Sequence, residues 1–421
     1  MNLSGRSSLV PFGLVAAFLG TGVASLVLAY TVVLLEPASF LLAIATPKAL
    51  ATVHLVTLGF GVMILVGALQ QLAPVLLVTP LASVRAAYVT LVLLLTGVAG
   101  VIGGFARGYD VPLLASGAIL SFLAVLVLLV NLATTYRRSR ARSTVNASLL
   151  ASACYLLLTI ALGGLVAASR LVPEIAAILG YATPLHLALG LFGVFFLAIA
   201  STGHRLLGMF VLAHGVTQVR LRIIAGGVHA AIALLALGTF TRLETGALAI
   251  VLLIGALVVF GVDTAVIVRR RMRRVFERSI RLYLVSVSLA MLAVPLWLTG
   301  HHAAAVTIFL LGFVTLAIAG MLVKIMSFLA WQYRYAPHVG RGEVPLMHHL
   351  VRDDLENVTT AGLVSGALLL PAALVTSVPL LAHAGAFTGT IGASSLALHL
   401  LWIATGAHAR RVPRATLGET A

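Results

Sequence analysis

Long apolar runs, broken at short intervals by basic or turn-forming residues, make up most of the chain. Taken in order they fall near 9–35, 50–78, 83–105, 110–135, 147–169, 175–203, 221–240, 245–268, 280–299, 303–331, 358–381 and 386–407. Each is close to or above the roughly 20 residues that a bilayer core demands of a helix. The pattern predicts an all-α polytopic membrane protein of twelve transmembrane helices. The first run is too long for the core of a signal peptide and lacks a cleavage site, so it is read as a retained helix.

Composition agrees with a chain whose solvent is lipid. Of 421 residues, 61% are hydrophobic and only 9% charged, and mean hydropathy is +1.14. A water-soluble chain of this length would divide into two or three domains. A bundle in a bilayer grows sideways by adding helices, so a single transmembrane domain over 1–421 is expected.

The net charge of +16 would suggest nucleic acid if the basic residues formed one patch. Instead they sit in the short connections, and their placement reports topology. With the N-terminus in the cytoplasm, Arg137, Arg138, Arg140 and Arg142, then Arg269, Arg270, Arg271, Arg273 and Arg274, and finally Arg410, Arg411 and Arg414 fall on one side. Only Lys48, Arg107, Arg170 and Arg242 of the 27 basic residues fall on the other. Both termini are therefore expected in the cytoplasm, in a plasma membrane of the bacterial type. No nucleic-acid partner is expected. The single cysteine, Cys154, excludes an internal disulfide and any multi-cysteine metal site, and reads as a small packing residue of the fifth helix.

A repeat runs through helices two, six and ten. His54-Leu-Val-Thr-Leu-Gly59, with Gly67 eight residues on, parallels Thr307-Ile-Phe-Leu-Leu-Gly312, with Gly320 eight residues on. The first closes on Gln70-Gln71 and the second on Val323-Lys324. Helix six carries a looser copy, His186-Leu-Ala-Leu-Gly190 and Gly193, closing on His204-Arg205. Spaced glycines alone are ordinary membrane-helix packing. The shared His-Leu opening and the shared ending point further, to three four-helix units near 9–135, 147–268 and 280–407.

Ionisable residues at membrane depth are costly and mark function. Asp263 is the one clear acidic residue inside a predicted helix; it lies near Arg269 and reads as its charge partner. Lys324, near the inner end of helix ten, reads as a snorkelling side chain. Histidine is more informative. His54, His186, His229 and His399 stand on otherwise apolar helices, His301 and His302 open helix ten, and His383 ends helix eleven. A neutral imidazole is a ligand for haem iron and for copper. One such histidine alone is more often hydrogen-bonded to a neighbouring helix. His54 and His186 together, at matching places in two repeats, suggest a site assembled from facing helices. His204, His214, His338, His348, His349 and His408 read as interfacial or loop residues.

The segments HLVTLGFGVMILVGALQQLAPVLL, PLHLALGLFG with HRLLGMFVLAH, and GFVTLAIAGMLVKIMSFLAWQYRY resemble the catalytic-subunit fold of the haem-copper oxidase and nitric oxide reductase superfamily. The likeness is to its divergent, shortened members similar to oxidase subunit I, and it spans about residues 47 to 335. It implies that His54 is an axial ligand of a low-spin haem and that His186 ligates copper, with His229 as a further copper ligand. His302 and His301 are the nearest candidates for the haem and metal ligands of helix ten, since Thr307 stands at the repeat position. Gly190 stands where oxidases of the main type carry a tyrosine. The resemblance thus implies a membrane haem protein, of b type, with or without copper. It would have an incomplete dinuclear site and serve electron transfer, or respiratory or nitrogen-oxide metabolism, as a haem-copper oxidoreductase with a separate electron donor or partner subunit. The alternatives are a twelve-helix secondary transporter, for which charged residues along a path are expected, and a cofactor-free membrane scaffold.

Overall fold

The computed structural model describes residues 10–42, 46–169, 174, 179, 182–341 and 343–406. Arg170, His408, Arg410, Arg411 and Arg414, and most of 175–181 of the expected sixth helix, lie outside the described residues. Among those described, helices are the only regular secondary structure. Twelve are long and apolar enough to cross a membrane: α1 (Phe12–Leu35), α2 (Pro47–Leu77), α3 (Val84–Ala106), α4 (Val111–Arg138), α5 (Thr144–Ala168), α6 (Thr183–Phe210), α7 (Val219–Thr241), α8 (Gly246–Arg269), α9 (Arg278–Leu298), α10 (His302–Arg334), α11 (Asp353–Thr376) and α12 (Pro379–Thr405).

The boundaries expected for the last two helices are displaced. α11 begins five residues before the expected 358 because Asp353, Asp354 and Glu356 occupy its first turn, where carboxylates favour the positive end of the helix dipole. It ends at Ser377, which adopts a left-handed conformation with φ 56°. α12 then starts at Pro379 rather than 386, since a proline is preorganised for a first helical turn. His383, expected to end helix eleven, consequently lies in α12.

The described chain forms two compact units. One holds α3 to α8 with the two ends of α2, Pro47–His54 and 65–77; the other holds α1, the middle of α2 (Leu55–Ile64) and α9 to α12.

In the first unit α3 and α4 form a hairpin packed through glycine. A methyl group on Gly97 would stand 2.5 Å from the Ser121 amide nitrogen, and one on Gly100 would stand 2.8 Å from the Cα of Gly117. Such absence of side chains lets two backbones meet, which in lipid is the main source of helix association. Polar side chains tie the connections down at the far end of this hairpin. Asn131 accepts from the Ser83 amide at 2.9 Å and donates to the Ser83 carbonyl at 2.9 Å, while Thr135 accepts from the Ala82 amide at 3.0 Å. Ser139 donates to the Leu77 carbonyl at 2.7 Å, so the end of α2 is fixed as well. Cys154 is exposed on α5 and does not pack inward as expected.

The second unit repeats the device. A methyl group on Gly362 of α11 would stand 2.6 Å from the Gly392 amide nitrogen of α12. The buried ring of Tyr30, from α1, fills the slot beside Gly366 and Gly389. Arg334, at the end of α10, donates to the Ile403 carbonyl at 3.1 Å and to that of Ala404. A guanidinium there satisfies carbonyls that the helix itself leaves open.

Three helices depart from α geometry. π-helical segments occupy Leu55–Val62 in α2, Leu189–Phe196 in α6 and Ile308–Thr315 in α10, and no others occur among the described residues. All three are eight residues long. They fall on the helices that share the sequence repeat, and their register places Gln70, His204 and Val323 at equivalent positions. The same register sets Ala188, not His186, opposite His54. Extended π geometry is rare and tends to mark functional sites.

Replacing Gly100 by Val is expected to cost about 1–3 kcal/mol through overpacking, read as a lower apparent melting temperature in detergent. Gly103→Val, with nothing within 4 Å of the added carbon, is the control expected to melt close to the unaltered chain.

A candidate histidine site and a buried charge cluster

His54 ends the first α-helical stretch of α2, immediately before the π-segment. Its Nδ1 lies 2.7 Å from the Leu50 carbonyl oxygen, one turn back. A carbonyl only accepts, so Nδ1 carries the proton and Nε2 keeps its lone pair. The partly buried ring lies against Phe105 of α3, centroids 5.0 Å apart. Phe105 is in turn held edge-on by Tyr109 at 5.6 Å.

His186 opens α6 in the same unit. Its Nδ1 lies 3.1 Å from the Thr159 carbonyl oxygen on α5, which fixes the same tautomer. The ring rests over Gly163, where a methyl group would stand 2.8 Å from Cε1. Glycine at this position is therefore what admits the imidazole. His54 and His186 are near enough to act on each other electrostatically. Neither Nε2 has a protein partner among the described residues, so the pair presents two unused lone pairs.

The other candidates are placed differently. His229 of α7 is exposed, and its Nδ1 pairs with the Tyr155 hydroxyl at 2.7 Å. Tyr155 itself is pressed against Gly193, whose added methyl would stand 2.8 Å from the ring. His301 and His302 are both exposed, and His302 lies on Trp297 with centroids 4.4 Å apart. His399 is fully buried and its Nε2 accepts from the Arg352 amide at 3.0 Å, which caps the start of α11. No group of three His, Cys, Asp or Glu residues placed to hold a metal ion occurs among the described residues.

Asp263 does not pair with Arg269. Its side chain, 3% exposed, accepts from Arg220 Nε of α7 at 2.7 Å and from His204 Nδ1 of α6 at 2.7 Å. Arg220 and His204 were invisible as partners in the sequence because the contact joins three helices, and one sequence carries no information on which faces meet. The only hint was a lone carboxylate in an apolar helix. His204, expected at the interface, is buried. With a neutral imidazole the cluster's formal charges cancel, which is what permits a carboxylate to be buried in this place.

Lys324 also has a partner. It pairs with Glu277, beside a second pair between Arg278 and Asp353 at 2.5 Å. It therefore joins α9 to α10 at the basic end and does not simply reach for the interface.

No protein-family model matches the sequence, and no curated protein matches it.

Asp263→Asn leaves the Arg220 guanidinium without its counter-charge. The expected loss is about 3–5 kcal/mol, the usual consequence of breaking a buried pair from one side, measured as reduced thermal stability and a smaller monodisperse fraction. Replacing Lys324 by Gln, at a partly exposed pair, is expected to cost about 1 kcal/mol or less.

Proposed function

We propose that this is a membrane haem or copper protein in which His54 and His186 are the ligands, acting in electron transfer or in respiratory or nitrogen-oxide metabolism. The observation that carries the reading is the state of the two imidazoles. Each has Nδ1 committed to a backbone carbonyl, at 2.7 and 3.1 Å, and each leaves Nε2 unused. That is the usual arrangement of a metal-ligating histidine, whose second nitrogen donates to a carbonyl or carboxylate that fixes the ring. The donor set fits haem iron or copper, both of which take neutral imidazole.

A group so held supplies one-electron chemistry. The chain's own contribution is to hold the rings. Leu50 and Thr159 set the tautomers, Gly163 leaves room for one imidazole, and Phe105 braces the other. With Cys154 as the single cysteine, a haem would be held by coordination and packing, as in b-type proteins, rather than by thioether bonds. Electrons then come from a separate donor. The reading includes α2, α6 and α10 as equivalent members of three four-helix units, which the shared π-segments support, and the termini and basic loops on the cytoplasmic side, which the charge asymmetry supports.

The test is a reduced-minus-oxidised spectrum, a pyridine haemochrome assay and copper analysis on the purified full chain expressed with both metals supplied. Stoichiometric haem or copper is expected, with binding reduced at least about tenfold in His54→Ala and in His186→Ala. Gly163→Ala, which removes no ligand, is expected to weaken binding as well, while His383→Ala leaves it unchanged. Neither metal in the unaltered protein would overturn the reading, and the transporter or cofactor-free scaffold would replace it.

A further inference from the structure

A second feature, in the first unit, lies away from the histidine pair. The segment after α8, Arg270-Arg-Met-Arg-Arg-Val-Phe276, is folded back on the segment after α6. The amides of Met272 and Arg273 both donate to the Val211 carbonyl, at 3.2 and 3.3 Å. Arg270 reaches the Gly215 carbonyl from the other side. Leu212, beside the shared acceptor, holds a left-handed conformation with φ 55°. Two connections are thereby locked into one platform at the basic ends of α6, α7 and α8.

The surface of this platform is mixed in a particular way. Arg205, Arg222, Arg269 and Arg274 are exposed and have no acidic partner among the described residues. There is no acidic residue in 204–222 or in 264–276; of the flanking carboxylates, Asp263 is buried and committed to Arg220 and His204, and Glu277 is paired with Lys324. Among the arginines stand bare apolar side chains, Met209 at 53%, Leu212 at 55%, Met272 at 69% and Val275 at 77% exposure.

We propose that this platform is a binding site for anionic phospholipid headgroups. A topology signal needs only positive charge in the connecting loop. It does not need a loop pinned by backbone bonds, and it does not need exposed methionine, leucine and valine between the charges. Both are what a lipid requires: guanidinium groups at the height of the phosphates, and apolar side chains that enter the glycerol and upper acyl region. Clusters of four to eight basic residues at the end of a membrane helix attract anionic lipids in this way. A soluble phosphate would gain from the arginines alone, so the apolar residues commit the site to lipid.

The experiment is native mass spectrometry of the delipidated full chain in mixed micelles holding either phosphatidylglycerol or phosphatidylcholine. Preferential retention of phosphatidylglycerol is expected. In the combined variant Arg205→Gln, Arg222→Gln, Arg269→Gln, Arg274→Gln it is expected to fall about tenfold or more, and the corresponding Arg→Lys variant, which keeps the charge, is expected to restore most of it. Among the described residues these four side chains make no hydrogen bond or ion pair, and unchanged helicity verifies folding. Met272→Ser with Val275→Ser is expected to weaken retention while leaving the charge intact. Three results would overturn the proposal: equal retention of the two lipids, an equal loss when Arg137, Arg138, Arg140 and Arg142 are replaced instead, or displacement of the lipid by millimolar inorganic phosphate.

Discussion

In hydrocarbon no water takes up a hydrogen bond, and every other feature of this structure follows from that constraint. The backbone closes on itself as helix wherever it crosses. Hydroxyl side chains such as Thr31, Ser201 and Thr202 return their protons to the carbonyl a turn back. Connections are held by amides and hydroxyls that find backbone partners, as Asn131 and Ser139 do. The one carboxylate buried between α6, α7 and α8 is matched by a guanidinium and an imidazole. Closure is incomplete at several buried side-chain atoms, among them both amide atoms of Gln70; what sets His54 and His186 apart is that a carbonyl orients each ring through Nδ1 while Nε2 offers its lone pair to nothing among the described residues.

The same absence of water removes the hydrophobic force between helices, so close contact must come from shape. Two hairpins, α3–α4 and α11–α12, solve this with glycine against glycine. Gly163 and Gly193 use the same device for a different end, making space for the His186 and Tyr155 rings. The π-segments of α2, α6 and α10 add a local widening just after the histidine positions of α2 and α6. Packing and candidate chemistry therefore draw on one resource, the residue without a side chain.

Much of the fold was legible in the sequence for the reason that it was simple: a bilayer core needs about 20 apolar residues, and the chain marks each crossing with arginine, proline or a serine cap. Reading went astray where hydropathy competes with local chemistry, as at the start of α11, whose first turn is acidic, and at Pro379, which opens α12 inside a run that looks uniformly apolar. The candidate site was legible only as a set of histidines. That His54 and His186 come near each other while His229 turns outward depends on helix faces, which no single sequence specifies. The partnership of Asp263 with Arg220 and His204 was hidden for the same reason, and the nearby Arg269 was the wrong inference from sequence distance.

The central claim is that two histidines in the apolar core are locked by carbonyl acceptors into the tautomer that leaves Nε2 free for a metal. Nitrogen-15 solid-state NMR on the metal-free, histidine-labelled chain in lipid tests it most directly, with His54 and His186 assigned by their loss in single alanine variants. The account predicts that both rings are neutral, protonated at Nδ1 and bare at Nε2. An imidazolium, or a proton on Nε2 in either ring, would contradict it, since that ring would then have no lone pair aimed at a metal.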